Sequence, residues 1–99
     1  PIVLSPTPGN RWTDGKARRM TDSYTKWAKE VALQEGVQFI DLNGLTADKL
    51  DEMGEEKGKS LFIDSVHTNK EGAIINGKSV IEGLKALKNF SLNQYLIKN

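Results

Sequence analysis

Apolar residues in this chain fall into short unbroken runs and longer stretches of helical spacing. Ile2-Val3-Leu4 is such a run, bounded by Pro1 and by Ser5-Pro6-Thr7-Pro8-Gly9-Asn10. A run this short suits a strand buried on both faces of a parallel sheet. Two prolines and a glycine end it, and residues 11–16 continue as a polar loop. Helical spacing follows. Thr21, Asp22 or Ser23 can cap a helix whose Tyr24, Trp27, Ala28, Val31 and Ala32 share one stripe, with Gly36 as its stop. Val37-Gln38-Phe39-Ile40-Asp41-Leu42 reads as a second strand near a sheet edge, with Gln38 facing outward. Asn43-Gly44 reads as a turn, Thr46 as the cap of a short polar helix from Ala47 to about Met53, and Gly54 as its end. Residues 55–60 read as a charged loop. After Leu61-Phe62-Ile63 comes a strong helix start, in which Thr68 and Glu71 have capping-box spacing. Ala73, Gly77, Val80, Ile81, Leu84 and Leu87 then recur at helical spacing. Phe90, Leu92, Tyr95 and Leu96 predict a short terminal helix or a packed tail over 89–99.

The order strand–helix–strand–helix–loop–helix predicts an α/β domain with parallel strands. Two strands are too few for a sheet covered on both faces, so the remaining strands are expected from another segment or a partner chain. The chain opens on Pro1 rather than Met, inside an apolar run, and its natural N-terminus is expected to lie elsewhere. In open parallel sheets ligands bind at the carboxyl edge. There the loops 5–16, 42–46 and 64–67 would gather, bringing Asp64 and His67 beside Thr7, Asn10 and Trp12.

Composition narrows the function classes. Ninety-nine residues allow one small domain or part of a larger one. A net charge of +1 leaves no field for nucleic acid or another polyanion. Lys16, Arg18 and Arg19 cluster, but a solvated loop or first helical turn explains them better than a phosphate site. The chain has no cysteine and one histidine, which excludes disulfides and thiolate sites and leaves no His-rich zinc site. No apolar run approaches the roughly 20 residues that span a bilayer, and these residues hold no signal-peptide pattern.

The candidate chemistry is Asp64-Ser65-Val66-His67, just before the last long helix. The plain reading is a surface loop in which Asp64 ends an apolar run. The sharper reading treats the acid and the imidazole as two supporting members of a nucleophile–base–orienter system. Asp64 favours a positive imidazole and a nearby helix N-terminus disfavours one. Trp12, in its loop, could stack on a ligand or fold back onto the core.

Three segments resemble the SGNH (GDSL-type) hydrolases, in particular their rhamnogalacturonan acetylesterase-like branch. Residues 1–12 are similar to that branch's fourth strand and following loop, and residues 37–42 resemble its last strand. Asp64-Ser65-Val66-His67-Thr68-Asn69 with Gly72-Ala73 resembles the final block, whose Asp-x-x-His completes the catalytic triad. The resemblance runs to about Leu87. It implies the C-terminal half of a flavodoxin-like three-layer α/β/α sandwich with a parallel sheet. Asp64 and His67 would be the catalytic acid and base, with Asn10, Trp12 and Thr7 as substrate-binding residues. The implied activity is removal of acetyl groups from an acetylated polysaccharide or oligosaccharide, with no metal or organic cofactor and no nucleic-acid or membrane partner. An extracellular or periplasmic location follows by the same analogy. The nucleophile and oxyanion blocks are missing: none of Ser5, Ser23, Ser60, Ser65, Ser79 or Ser91 stands in a Gly-Asp-Ser context, and no Gly-x-Asn-Asp occurs. The chain alone is therefore expected to be inactive, completed by an N-terminal half or a partner chain. The alternative is a non-catalytic module that binds carbohydrate or protein through the Trp12 loop and the open sheet edge.

Overall fold

The computed structural model describes residues 1–87. In chain order its elements are β1 (Ile2–Leu4), β2 (Trp12–Thr13), β3 (Lys16–Ala17), α1 (Tyr24–Glu35), β4 (Gln38–Ile40), α2 (Leu42–Met53), α3 (Glu55–Lys59) and α4 (Lys70–Ala86). The architecture is α/β. β1 and β4 pair in parallel, with Ile2 opposite Gln38, Val3 opposite Phe39 and Leu4 opposite Ile40. α1 makes the crossover and packs on both strands. The terminal segment 89–99, for which the sequence predicts a helix or packed tail, lies outside the described residues.

α1 starts and stops where its pattern predicts. Gly36 sits at φ 65° and turns its N–H back to the carbonyls of Ala32 and Leu33, a left-handed stop that glycine makes without strain. The burial of its stripe differs from expectation. Ala32 is buried, but Tyr24, Trp27 and Val31 are 61%, 52% and 50% exposed. β1 is likewise only partly covered, with Ile2 and Val3 half-buried and Leu4 exposed. Within residues 1–87 these side chains have an apolar pattern and an incomplete cover.

Several local expectations are corrected. The polar loop 11–16 contains a small hairpin: Trp12 pairs with Ala17 and Thr13 with Lys16 across Asp14 and Gly15. Both turn residues have positive φ, 51° and 80°, as a tight two-residue hairpin requires. Two-residue strands are too short to show alternation, so Asp14-Gly15 was the only available signal. Asn43-Gly44 is not a turn. Asp41 caps α2 by accepting from the Gly44 N–H at 3.0 Å, which starts the helix at Leu42 and removes that residue from the strand. Thr46 is consequently interior, and its hydroxyl donates to the buried Ser79 Oγ at 2.8 Å.

The charged stretch after Gly54 is helical from Glu55 to Lys59. Its acids lie in the first turn and its lysines in the last, the order a helix dipole favours, and Lys59 reaches Glu55 at 3.3 Å. Last, the cap of α4 is Asn69 rather than Thr68. Asn69 Oδ1 accepts from the Gly72 N–H at 3.0 Å, while Thr68 is drawn into a bridge with Phe62. The buried face of α4 is also displaced from the apolar stripe: Gly72, Ser79 and Gly83 face inward, while Ala73, Gly77 and Ile81 of the stripe are exposed, as is Ile74 beside it. Small residues let the helix approach closely; at Gly83 the Ile40 side chain fills the space a Cβ would need. Ala17, Ala47, Leu50 and Leu61 form the core, with Trp12, Met53, Phe62 and Ile75 packed against it.

Candidate active site

Leu61 to Asn69 leaves the core at a buried leucine and returns at the cap of α4. The ends are joined by the Asn69 N–H donating to the Leu61 carbonyl at 2.9 Å and the Ile63 N–H donating to the His67 carbonyl at 2.9 Å. Between them the chain turns so tightly that Asp64 can serve its own loop. Its Oδ1 accepts from the backbone N–H of His67 at 2.6 Å and of Val66 at 2.7 Å. This is the Asx-type closure that a short acidic side chain allows. Its other oxygen, Oδ2, meets His67 Nδ1 at 2.8 Å. Both backbone bonds and the ring contact therefore converge on one carboxylate.

The electrostatic result follows from those contacts. The His67 N–H, then the Val66 N–H, then the His67 ring stabilise the ionised carboxylate, and hold Asp64 down to about 2 from the ordinary 3.8. An ionised carboxylate has only acceptor sites, so Nδ1 must carry the proton in this contact. Nε2 is left as the ring nitrogen able to accept one when the imidazole is neutral. The pair is open to solvent: the His67 side chain is 73% exposed and that of Asp64 52%. Hydrogen bonds rather than packing hold it, since Ile63 and Val66 are exposed as well.

The remaining sequence-predicted residues lie on the neighbouring 5–16 segment. Asn10 donates its backbone N–H to the Ser65 carbonyl at 3.0 Å, which ties that segment to the Asp64–His67 loop. Gly9 lies against the same carbonyl, which a Cβ would meet at 3.0 Å. Trp12 donates its indole N–H to Asn10 Oδ1 at 2.9 Å, and its ring lies over Gly58 at the margin of the core. Trp12 is thus packed on the core and half-buried. Thr7 is exposed on the same segment. The third expected loop, 42–46, is helical, but its cap still reaches the carboxyl end of the strand pair. Ser5 Oγ donates to Asp41 Oδ1 at 2.8 Å and accepts from the Asn43 N–H at 2.9 Å.

Asn69 is a residue that sequence reasoning passed over. It holds the loop ends together by side chain as well as backbone, its Nδ2 donating to the Ser60 carbonyl at 2.7 Å. The available signal was Asn69 three positions before Gly72, since asparagine is as good a cap as threonine. Among the described residues no group of three or more His, Cys, Asp or Glu side chains is placed to hold a metal ion.

No family model matches the chain. Among curated proteins it is similar to a rhamnogalacturonan acetylesterase of Emericella nidulans, with 28% identity over 75 residues. The matched region is 75% of this chain and 31% of that protein, so the chain spans about a third of the length of the relative. The match supports a distant, SGNH-type esterase-like relationship.

Proposed function

We propose that this chain is the acid- and base-bearing C-terminal half of a serine carbohydrate esterase that removes acetyl groups from a polysaccharide. The observation that carries the reading is the 2.8 Å contact between Asp64 Oδ2 and His67 Nδ1, which leaves Nε2 open. The similarity to an acetylesterase supports the same class. On this reading the domain is a flavodoxin-like three-layer sandwich, and the serine nucleophile and oxyanion donors come from sequence outside these 99 residues. The exposed residues Leu4, Tyr24, Trp27 and Val31 belong to the surface that the rest of the sandwich would cover. An extracellular or periplasmic location goes with the same reading.

The chemistry follows from the two side chains. His67 Nε2 takes the proton of the serine hydroxyl as its oxygen attacks the acetyl carbonyl, and gives it to the sugar oxygen as the C–O bond breaks. Water then repeats the sequence on the acyl-serine and releases acetate. Asp64 keeps the proton on Nδ1 and stabilises the imidazolium formed on the way. This route needs neither a metal nor an organic cofactor. Asn10, held at Ser65, and its neighbours Trp12 and Thr7 would border the sugar.

The test is complementation. The 99-residue chain alone should give no saturable hydrolysis of p-nitrophenyl acetate. Joined to a polypeptide supplying the remaining strands and the nucleophile, it should hydrolyse the ester. His67→Ala should then cost about 10³-fold or more in kcat. Undiminished activity of the reconstituted His67→Ala protein would remove the role assigned to His67.

A further inference from the structure

The geometry assigns Asn69 as a positioning residue for the Asp64–His67 pair, a role that rests on the function proposed above. Its backbone N–H takes the Leu61 carbonyl at 2.9 Å, its Nδ2 takes the Ser60 carbonyl at 2.7 Å, and its Oδ1 receives the Gly72 N–H at 3.0 Å. One residue thus joins the end of α3, the start of the loop and the first turn of α4. Apolar packing does not replace that clasp, because Ile63, Val66 and His67 all face solvent. Freed at its base, the loop would lose the curvature that brings the Val66 and His67 N–H groups onto Asp64 Oδ1. Those bonds hold the carboxylate in its orientation toward Nδ1. Asn69 touches neither reacting atoms nor the ring, and acts through the backbone.

A helix cap accounts for Oδ1 but gives no role to Nδ2, and one substitution separates the two. Asn69→Ser keeps a neutral side-chain acceptor for the Gly72 N–H and removes the donor to Ser60. Asn69→Ala removes both. Carboxyl-detected NMR titration of Asp64 and the nitrogen shifts of neutral His67 read the pair directly in the 99-residue chain. In the parent, Asp64 should titrate near 2 and neutral His67 should carry its proton on Nδ1. In Asn69→Ser, helix content should stay within a few per cent of the parent. The Asp64 midpoint should rise by about one unit toward the ordinary 3.8, and the Nδ1–H tautomer should lose its excess. Asn69→Ala should give the same change in the pair together with weakened α4. A folded serine variant with the parent's midpoint and tautomer would overturn the assignment. Should that variant not fold, Asn69→Asp also keeps the cap and lacks the donor. Its added charge acts on the midpoint, so the tautomer alone is read, with the same two outcomes. No turnover enters these measurements, so their failure and a failure of the esterase reading are separately visible.

Discussion

Two glycines of α4 make opposite predictions for the same substitution. Alanine gains about 1 kcal/mol over glycine in a helix interior. At Gly77 no atom outside the helix's own backbone lies within 4 Å of the position a Cβ would take, so Gly77→Ala should realise most of that gain. At Gly72 the Cβ would stand 2.5 Å from the Leu61 carbonyl oxygen and 2.8 Å from Thr68 Cβ. Neither neighbour is the loose end of a side chain: the Leu61 carbonyl already accepts from Asn69, and Thr68 is bridged to Phe62. Reaching ordinary contact at 3.4 Å means moving that carbonyl by about 0.9 Å. Forced overpacking costs about 1–3 kcal/mol, and the fixed backbone puts this case in the upper part of the range. After the helical gain, Gly72→Ala should be destabilised by about 1–2 kcal/mol. For a chain of this size that is a fall of about 5–15 °C in Tm, against a rise of a few degrees for Gly77→Ala. Thermal and urea denaturation followed by circular dichroism would measure both. If Gly72→Ala melts at or above the parent, or below it by no more than Gly77→Ala does, the close approach of α4 to this loop is refuted.

Acid should weaken the fold through two carboxylates. Asp64 is held at about 2, and Asp51 is lowered because the Ala17 N–H and Arg19 outweigh the upward push of burial. A folded value below the unfolded one adds stability above the unfolded value near 3.8 that is lost as pH falls through the folded one. Urea midpoints should therefore fall between about pH 4 and pH 2, and Asp64→Asn and Asp51→Asn should each flatten that dependence. A parent midpoint that is level across this window would contradict both shifts. In the buried Thr46–Ser79 pair, Thr46→Val or Ser79→Ala alone should cost about 1–3 kcal/mol by stranding the other hydroxyl. The double variant should cost less than the two together; strict additivity in a double-mutant cycle would show that the 2.8 Å contact does not couple them.

What was legible in the sequence was what local chemistry decides. β1, α1 and β4 follow from a run, a stripe and a stop, and the parallel pairing follows from the helix between the strands. The Asp64–His67 contact was also legible, since an acid three residues before a histidine in a tight loop can serve both backbone and ring. Two of the errors, at the starts of α2 and α4, fall where a tertiary partner chose between two adequate local signals. Thr68 and Asn69 are both good caps, and the Phe62 bridge takes Thr68 away. Asn43-Gly44 is a good turn, but Asp41 sits where it can cap a helix, and Ser5, 36 positions earlier in the chain, fixes that carboxylate. Leu42 therefore starts a helix instead of ending a strand.

The stripes on α1 and α4 carry that argument one step further. Periodicity marks which face of a helix is apolar, but burial depends on what lies opposite. On α4 the core took the neighbouring face, because Gly72, Ser79 and Gly83 permit an approach that Ile74 and Ile81 would block. On α1 only the Ala32 side of the stripe meets the strands, and the T-shaped pair of Tyr24 and Trp27, with centroids 5.3 Å apart, stands in solvent beside Val31. Large apolar side chains grouped in this way mark a contact surface more often than isolated exposed ones do. Asp64 and His67 present the polar version of the same mismatch: they are joined by a short bond, yet open to water that weakens their interaction. The proposed function explains both with one cover. A segment that completes the sheet would bury the α1 stripe, exclude water from the pair, and bring a hydroxyl to Nε2.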